Sequence, residues 1–109
     1  MTITKRTVIN QIEVTEPGHL QIRLSKQIVE DGVVLMSEYH RTSVECGGDV
    51  AAQMAAVNAH LTQMGCAAVT TKDCDRIAAI AAADWTQERR DTWAAQKAAN
   101  AVALGRQGD

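Results

Sequence analysis

A chain of 109 residues with a formal net charge of −2 is long enough for one domain with a modest core and too short for a deep cleft between two subdomains. Its 11 basic residues are interspersed with 13 acidic ones and form no basic face, which argues against nucleic acid as a partner. Hydrophobic residues make up 46% of it, but much of that is alanine and phenylalanine is absent, so the core is thin and a homo-oligomer or assembly subunit is expected.

No apolar run approaches the length of a membrane span, and MTITKRTVIN contains no apolar signal core. A soluble protein made in the cytoplasm, with no membrane partner, is expected. The three cysteines, Cys46, Cys66 and Cys74, are an odd number without CxxC spacing. They read as reduced thiols and not as a disulfide framework or a metal site.

The first half alternates with the period of a strand. TVINQIEVT places Val8, Ile12 and Val14 on one side; HLQIRLSKQIV places Leu20, Ile22, Leu24 and Ile28 on one side and Gln21, Arg23, Ser25 and Gln27 on the other. Between them lies Glu16-Pro17-Gly18. A three-residue loop there, with Gly18 at positive φ, sets Val14 against Leu20 and Ile12 against Ile22, whereas a two-residue loop would set Ile12 against Arg23. The three-residue loop is therefore expected.

Asp31-Gly32 is a hairpin signal that opens a third strand. Counting outward from it pairs Ile28 with Leu35, Leu24 with Tyr39, and Ile22 with Arg41. The expected buried face is Ile12, Val14, Leu20, Ile22, Leu24, Ile28, Leu35 and Tyr39. The expected wet face carries Arg23, Gln27, Glu38 and His40.

After Gly47-Gly48 the period changes. Val50, Met54, Val57, Leu61 and Met64 recur at steps of four and three, with Asp49 as N-cap and Gly65 as the stop. The connector CAAVTT leads to a second helix, KDCDRIAAIAAAD, capped by Thr70 or Thr71 and contacting through Ile77 and Ile80. Thr86 caps a third, QERRDTWAAQKAANAVAL. Its apolar side (Ala94, Ala98, Ala101, Val102) is weak enough that a neighbouring chain is expected to hold it. The expected architecture is an α+β single domain: a three-stranded antiparallel meander over residues 1–46, a helical part over 49–104 with its first helix on the apolar sheet face, and a frayed tail at 105–109.

His40 beside Arg41 invites a catalytic reading, but strand alternation sends the two to opposite faces, where they cannot converge on one substrate. Arg41 falls on the expected apolar face, near a helix end or a carboxylate such as Glu13. Near Cys66 and Cys74, the charges of Lys72 and Arg76 are offset by Asp73 and Asp75, leaving inert thiols. His19 and His60 read as surface histidines, and Gly47-Gly48 lacks a phosphate-binding pattern. No catalytic, metal, cofactor or small-molecule site is expected. Trp85, Trp93 and Tyr39 are the expected interface anchors, with His40, Arg41 and Arg23 as polar contacts.

The ordered set Glu30-Asp31-Gly32, Tyr39-His40-Arg41, Gly48-Asp49-Val50 and Ala81-Ala82-Ala83-Asp84-Trp85-Thr86 resembles small proteins of tailed bacteriophages encoded near tail and tail-fibre genes. The resemblance implies a non-enzymatic structural subunit of the virion, in its tail, tail tip or tail fibre, acting through contacts with other phage structural proteins and made in the host cytoplasm. It leaves open a head decoration protein, or a tail-assembly chaperone or regulatory factor absent from the mature particle. It implies no catalytic residue and no cofactor.

Overall fold

The computed structural model describes residues 2–107, with side chains through residue 102. The chain runs β1 (Ile3–Val14), β2 (Leu20–Glu30), β3 (Val33–Val44), α1 (Val50–Gln63), α2 (Thr71–Asp84) and α3 (Gln87–Gln107). The strands form one antiparallel sheet in the order β1-β2-β3, so the fold is the α+β meander with helices after it.

The β1–β2 turn is a three-residue loop. Thr15 N–H donates to the His19 carbonyl at 2.9 Å, Gly18 N–H donates to the Thr15 carbonyl at 2.9 Å, and Gly18 sits at φ +102°. Val14 accordingly faces Leu20, and Ile12 faces Ile22. A side chain at Gly18 would be strained in that conformation, and its Cβ would lie 3.1 Å from Cys46 Sγ and 3.3 Å from Asp84 Oδ2. Gly18→Ala is expected to cost about 1–3 kcal/mol. A urea midpoint unchanged from the parent protein would show that the turn relaxes freely.

Two bulges then move side chains between faces. In β1, Gln11 faces Arg23 but Ile9 faces Leu24, so Asn10 is an extra residue. Ile9, and not Val8 as alternation suggested, joins Ile12 against the core; Val8 lies opposite Ser25, and Val14, expected buried, is exposed at the end of the strand. In β3 the Asp31-Gly32 turn pairs Glu30 with Val33 and Val29 with Val34, after which Leu35 is extra and Ile28 faces Met36. From that point every β3 side chain is on the other face from the one counted. Leu24 faces His40 instead of Tyr39, and Ile22 faces Thr42 instead of Arg41. Leu35 and Tyr39, expected in the core, are 55% and 60% exposed.

The helices cover only the base half of the sheet. Leu20, Ile22, Leu24 and Val44 of that half form one buried cluster with Met54 and Leu61 of α1 and Ile77 and Ala81 of α2. α1 runs back along β3: Gln53 Oε1 accepts from Glu45 N–H at 2.8 Å, and the His60 ring lies 5.6 Å from that of His40. Asp49, Thr70 and Thr86 cap the three helices, accepting from Ala52, Asp73 and Arg89 N–H. Of the α1 stripe, Met64 is exposed where burial was expected: it follows the last turn of the helix and lines an open depression with Ile28 and Met36 of the sheet. α3 continues past residue 104 to Gln107, and residues 108–109 of the expected frayed tail lie outside the described residues. Its Ala94, Ala98, Ala101 and Val102 are all exposed.

The connector after α1 straps the outer edge of β1. Val69 bridges Thr7, Asn58 Oδ1 accepts from Val69 N–H at 2.8 Å, and the buried Thr7 hydroxyl donates to the Ala67 carbonyl at 2.6 Å. No strand or strap covers the outer edge of β3 among the described residues. The molecule measures 59 × 34 × 20 Å with a radius of gyration of 17.0 Å. A compact chain of this length would have about 13 Å. Part of the excess is the tip half of the sheet, an arm on which no helix rests.

Candidate contact surface

Three groupings bring charged, aromatic or titratable side chains together. The first ties the β1–β2 turn to the α2–α3 junction. Trp85 is buried, and its Nε1–H donates to the Gly18 carbonyl at 2.6 Å. Arg89 pairs with Asp84 at 3.1 Å and donates to the Glu16 carbonyl at 3.1 Å. His19 accepts from Cys46 N–H through Nδ1 at 3.0 Å and meets the Trp93 ring edge-on at 4.3 Å. Trp85, His19 and Arg89 hold backbone groups, Asp84 holds Arg89, and Trp93 Nε1 is buried with no partner among the described residues. Burial pushes the Cys46 thiol up, outweighing the nearby Arg89. Burial pushes Cys74 up as well. Trp85 is thus a core residue and not the exposed anchor the sequence suggested, because its indole closes a contact with Gly18 far away in the chain. Trp93 is half-buried in the same knot.

The second grouping is His40 with His60. Because of the bulge at Leu35, His40 lies on the helix face beneath α1 and not on the open face. Lys26 and Glu38, directly opposite each other on β2 and β3, form an ion pair at 3.6 Å on the same face. Burial holds His40 below the ordinary histidine value of 6.5, and the charges of Lys26 and His60 push the same way. The unfolded chain therefore takes up this proton more readily than the folded one. The stability contributed is intact above the unfolded pKa of 6.5 and is lost as pH falls from there through the lower folded value. The urea midpoint is expected to fall between about pH 7.5 and about pH 5.5, and to fall less in His40→Asn. Equal falls in the two proteins would clear His40 as the source.

The third grouping occupies the open face and the arm. Arg23 and Arg41 are directly opposite each other on β2 and β3, with Gln11 completing the row on β1. Arg41, expected on the apolar face, is here instead and exposed. Arg23 is pinned: its Nε donates to Asn10 Oδ1 at 2.7 Å and its guanidinium lies 4.5 Å from the centroid of the Tyr39 ring. Arg41 has no carboxylate within ion-pair distance among the described residues. Glu13, its expected partner, lines the same depression of about 350 Å³ without reaching it. Like charges placed directly opposite weaken a sheet, so this row is a cationic strip the fold alone does not call for. Beyond it, Ile3, Val33, Val34, Leu35 and Met36 are all exposed at the arm's tip, Val33 and Met36 by 62% and 60%.

Tyr39, Arg23 and Arg41 therefore come together on one face, His40 stands on the other, and Trp85 and Trp93 belong to the knot at the base. Sequence reasoning missed the arm, although Val33-Val34-Leu35-Met36, four apolar residues without alternation, was its visible signal. Among the described residues no three His, Cys, Asp or Glu side chains converge as a metal site would require, and no helix is long and apolar enough to cross a membrane. Compared with known protein families, curated proteins and solved structures, the chain matches none.

Proposed function

We propose that the chain is a non-enzymatic structural subunit of a larger protein assembly, binding its neighbours through the arm, and that the assembly is the tail region of a tailed-phage particle. The observation that carries the first part is the exposed apolar tip of β2–β3. A contiguous cluster of large apolar side chains outside the core is what a protein interface needs and what a free monomer rarely displays. The open β3 edge supplies unpaired main-chain donors and acceptors along the same element. The second part, with its localisation in the virion and its partnership with other phage structural proteins, rests on the tailed-phage resemblance of residues 30–50 and 81–86.

Mass spectrometry of purified particles tests this reading. The protein is expected in the particle in repeated copies, and Leu35→Lys is expected to prevent its incorporation while the isolated variant keeps the parent's circular dichroism. Recovery on tail intermediates but not on finished particles would make it an assembly chaperone instead. Absence from both would overturn the reading.

A further inference from the structure

We propose that β3 pairs with β3 of a second copy about a two-fold axis at His40, joining two three-stranded sheets into one of six strands. The inference shares with the proposed function the premise that the arm is a contact surface, and it names the first occupant.

The register follows from where β3 is regular. Its bulge at Leu35 breaks the ladder, and from Met36 to Val44 the pairing with β2 is uninterrupted. A two-fold axis normal to the sheet keeps each side chain on its own face, so residue i of one copy meets a residue of the same parity in the other. Val44 is fully buried, so the stretch open at the edge ends at Ser43, and setting Ser37 against Ser43 of the second copy centres the pairing on residue 40.

That register is also chemically self-complementary. On the open face Tyr39 meets Arg41 of the second copy. One side of the Tyr39 ring already carries Arg23 at 4.5 Å, and Arg41 has no ion-pair partner among the described residues. Ser37 meets Ser43, and Glu38 meets Thr42. Moving the axis by one residue either way is poorer: centring on Arg41 sets arginine against arginine, and centring on Tyr39 sets Arg41 against Ser37 and loses the Tyr39–Arg41 contact. Centring on Glu38 sets glutamate against glutamate.

The pairing also gives the arm a cover. α1 lies over the base half of β3 only, and the antiparallel second copy brings its own base, with its α1, alongside this copy's uncovered half. The two α1 helices approach near the axis at His60. Ala52 and Ala56 lie at four-residue steps from His60 on one line of the helix, small and exposed. A second copy fits better than an unrelated strand because the two-fold axis makes the Tyr39–Arg41 contact twice from this sequence alone.

Sedimentation of the full chain at neutral pH is expected to show a concentration-dependent monomer–dimer equilibrium. Under mild oxidation His40→Cys is expected to form a disulfide between the two residues 40, located by peptide mapping against Cys46, Cys66 and Cys74. Ser37→Cys alone should not link to itself, whereas Ser37→Cys with Ser43→Cys should. Arg41→Glu separates folding from pairing: it places a carboxylate opposite Arg23 and should leave the monomer at least as resistant to urea, yet it should weaken the dimer roughly tenfold. A monomer at every concentration, a dimer without the 40–40 link, or a dimer indifferent to Arg41→Glu would overturn the pairing. A monomer that still incorporates into particles would overturn the pairing and spare the proposed function; a linked dimer absent from particles and their intermediates would do the reverse.

Discussion

Trp85→Ala is expected to lower the unfolding free energy by about 3–5 kcal/mol, the range for truncating a buried tryptophan. The residue is 4% exposed, and it sits where three separate parts of the chain meet. Its ring packs in the core cluster with the sheet base and α2, its Nε1–H satisfies the Gly18 carbonyl in the β1–β2 turn, and the Arg90 guanidinium lies over its outer side while bonding its carbonyl at 3.1 Å. Truncation removes the largest apolar body at the base and leaves a carbonyl short of its donor. Domains of this size have about 5–15 kcal/mol in total, so the loss brings a thin alanine-rich core close to its limit. Trp85→Phe keeps most of the packing and loses the donor, and should cost about 1–3 kcal/mol, the penalty for an unsatisfied buried group. Urea unfolding followed by the remaining tryptophan, Trp93, reads both. A loss below about 1 kcal/mol in Trp85→Ala would mean that the turn and the helix junction are not held together by this residue.

Why the sequence misjudged Trp85 and placed Gly18 correctly is one question about range. The turns and caps are local. Gly18 at positive φ, Asp31-Gly32, and the caps Asp49, Thr70 and Thr86 each depend on a few neighbouring residues, and each is where the pattern puts it. The Trp85–Gly18 bond joins residues 67 positions apart, and no local pattern encodes it. The bulges fall between these cases. In VINQ both Val8 and Ile9 are apolar, so alternation can be threaded through either, and only the pairing with Leu24 selects Ile9. In Val33-Val34-Leu35-Met36 every position is apolar, so nothing pins the register, and counting from the turn carries a one-residue error into Tyr39, His40 and Arg41. The error changes the functional picture more than the fold: the cationic row and the Tyr39 contact exist only in the shifted register.

Leu61→Ala and Leu35→Ala make the complementary pair of experiments, the same chemical change at the two ends of the burial scale. Leu61 is fully buried, packed with Met54, Ile77 and the sheet base, and its truncation is expected to cost about 2–5 kcal/mol because a cavity replaces it beneath α1. Leu35 is 55% exposed at the bulge, and its truncation should change stability by no more than about 0.5 kcal/mol. The asymmetry bears on function. An apolar side chain that contributes nothing to folding exposes the chain to non-specific association, a liability that edge strands usually offset with charge. Here the tip carries four apolar residues in succession, and their worth has to lie in a bound state. Urea unfolding at low protein concentration gives the folding cost of each variant, and sedimentation together with particle incorporation gives the binding cost. Leu61→Ala should fail the first measurement, and Leu35→Ala should pass it while losing affinity in the second. If Leu35→Ala instead loses more than about 1.5 kcal/mol in the dilute monomer, the arm is part of the folded core's own stability and its apolar tip no longer argues for a partner.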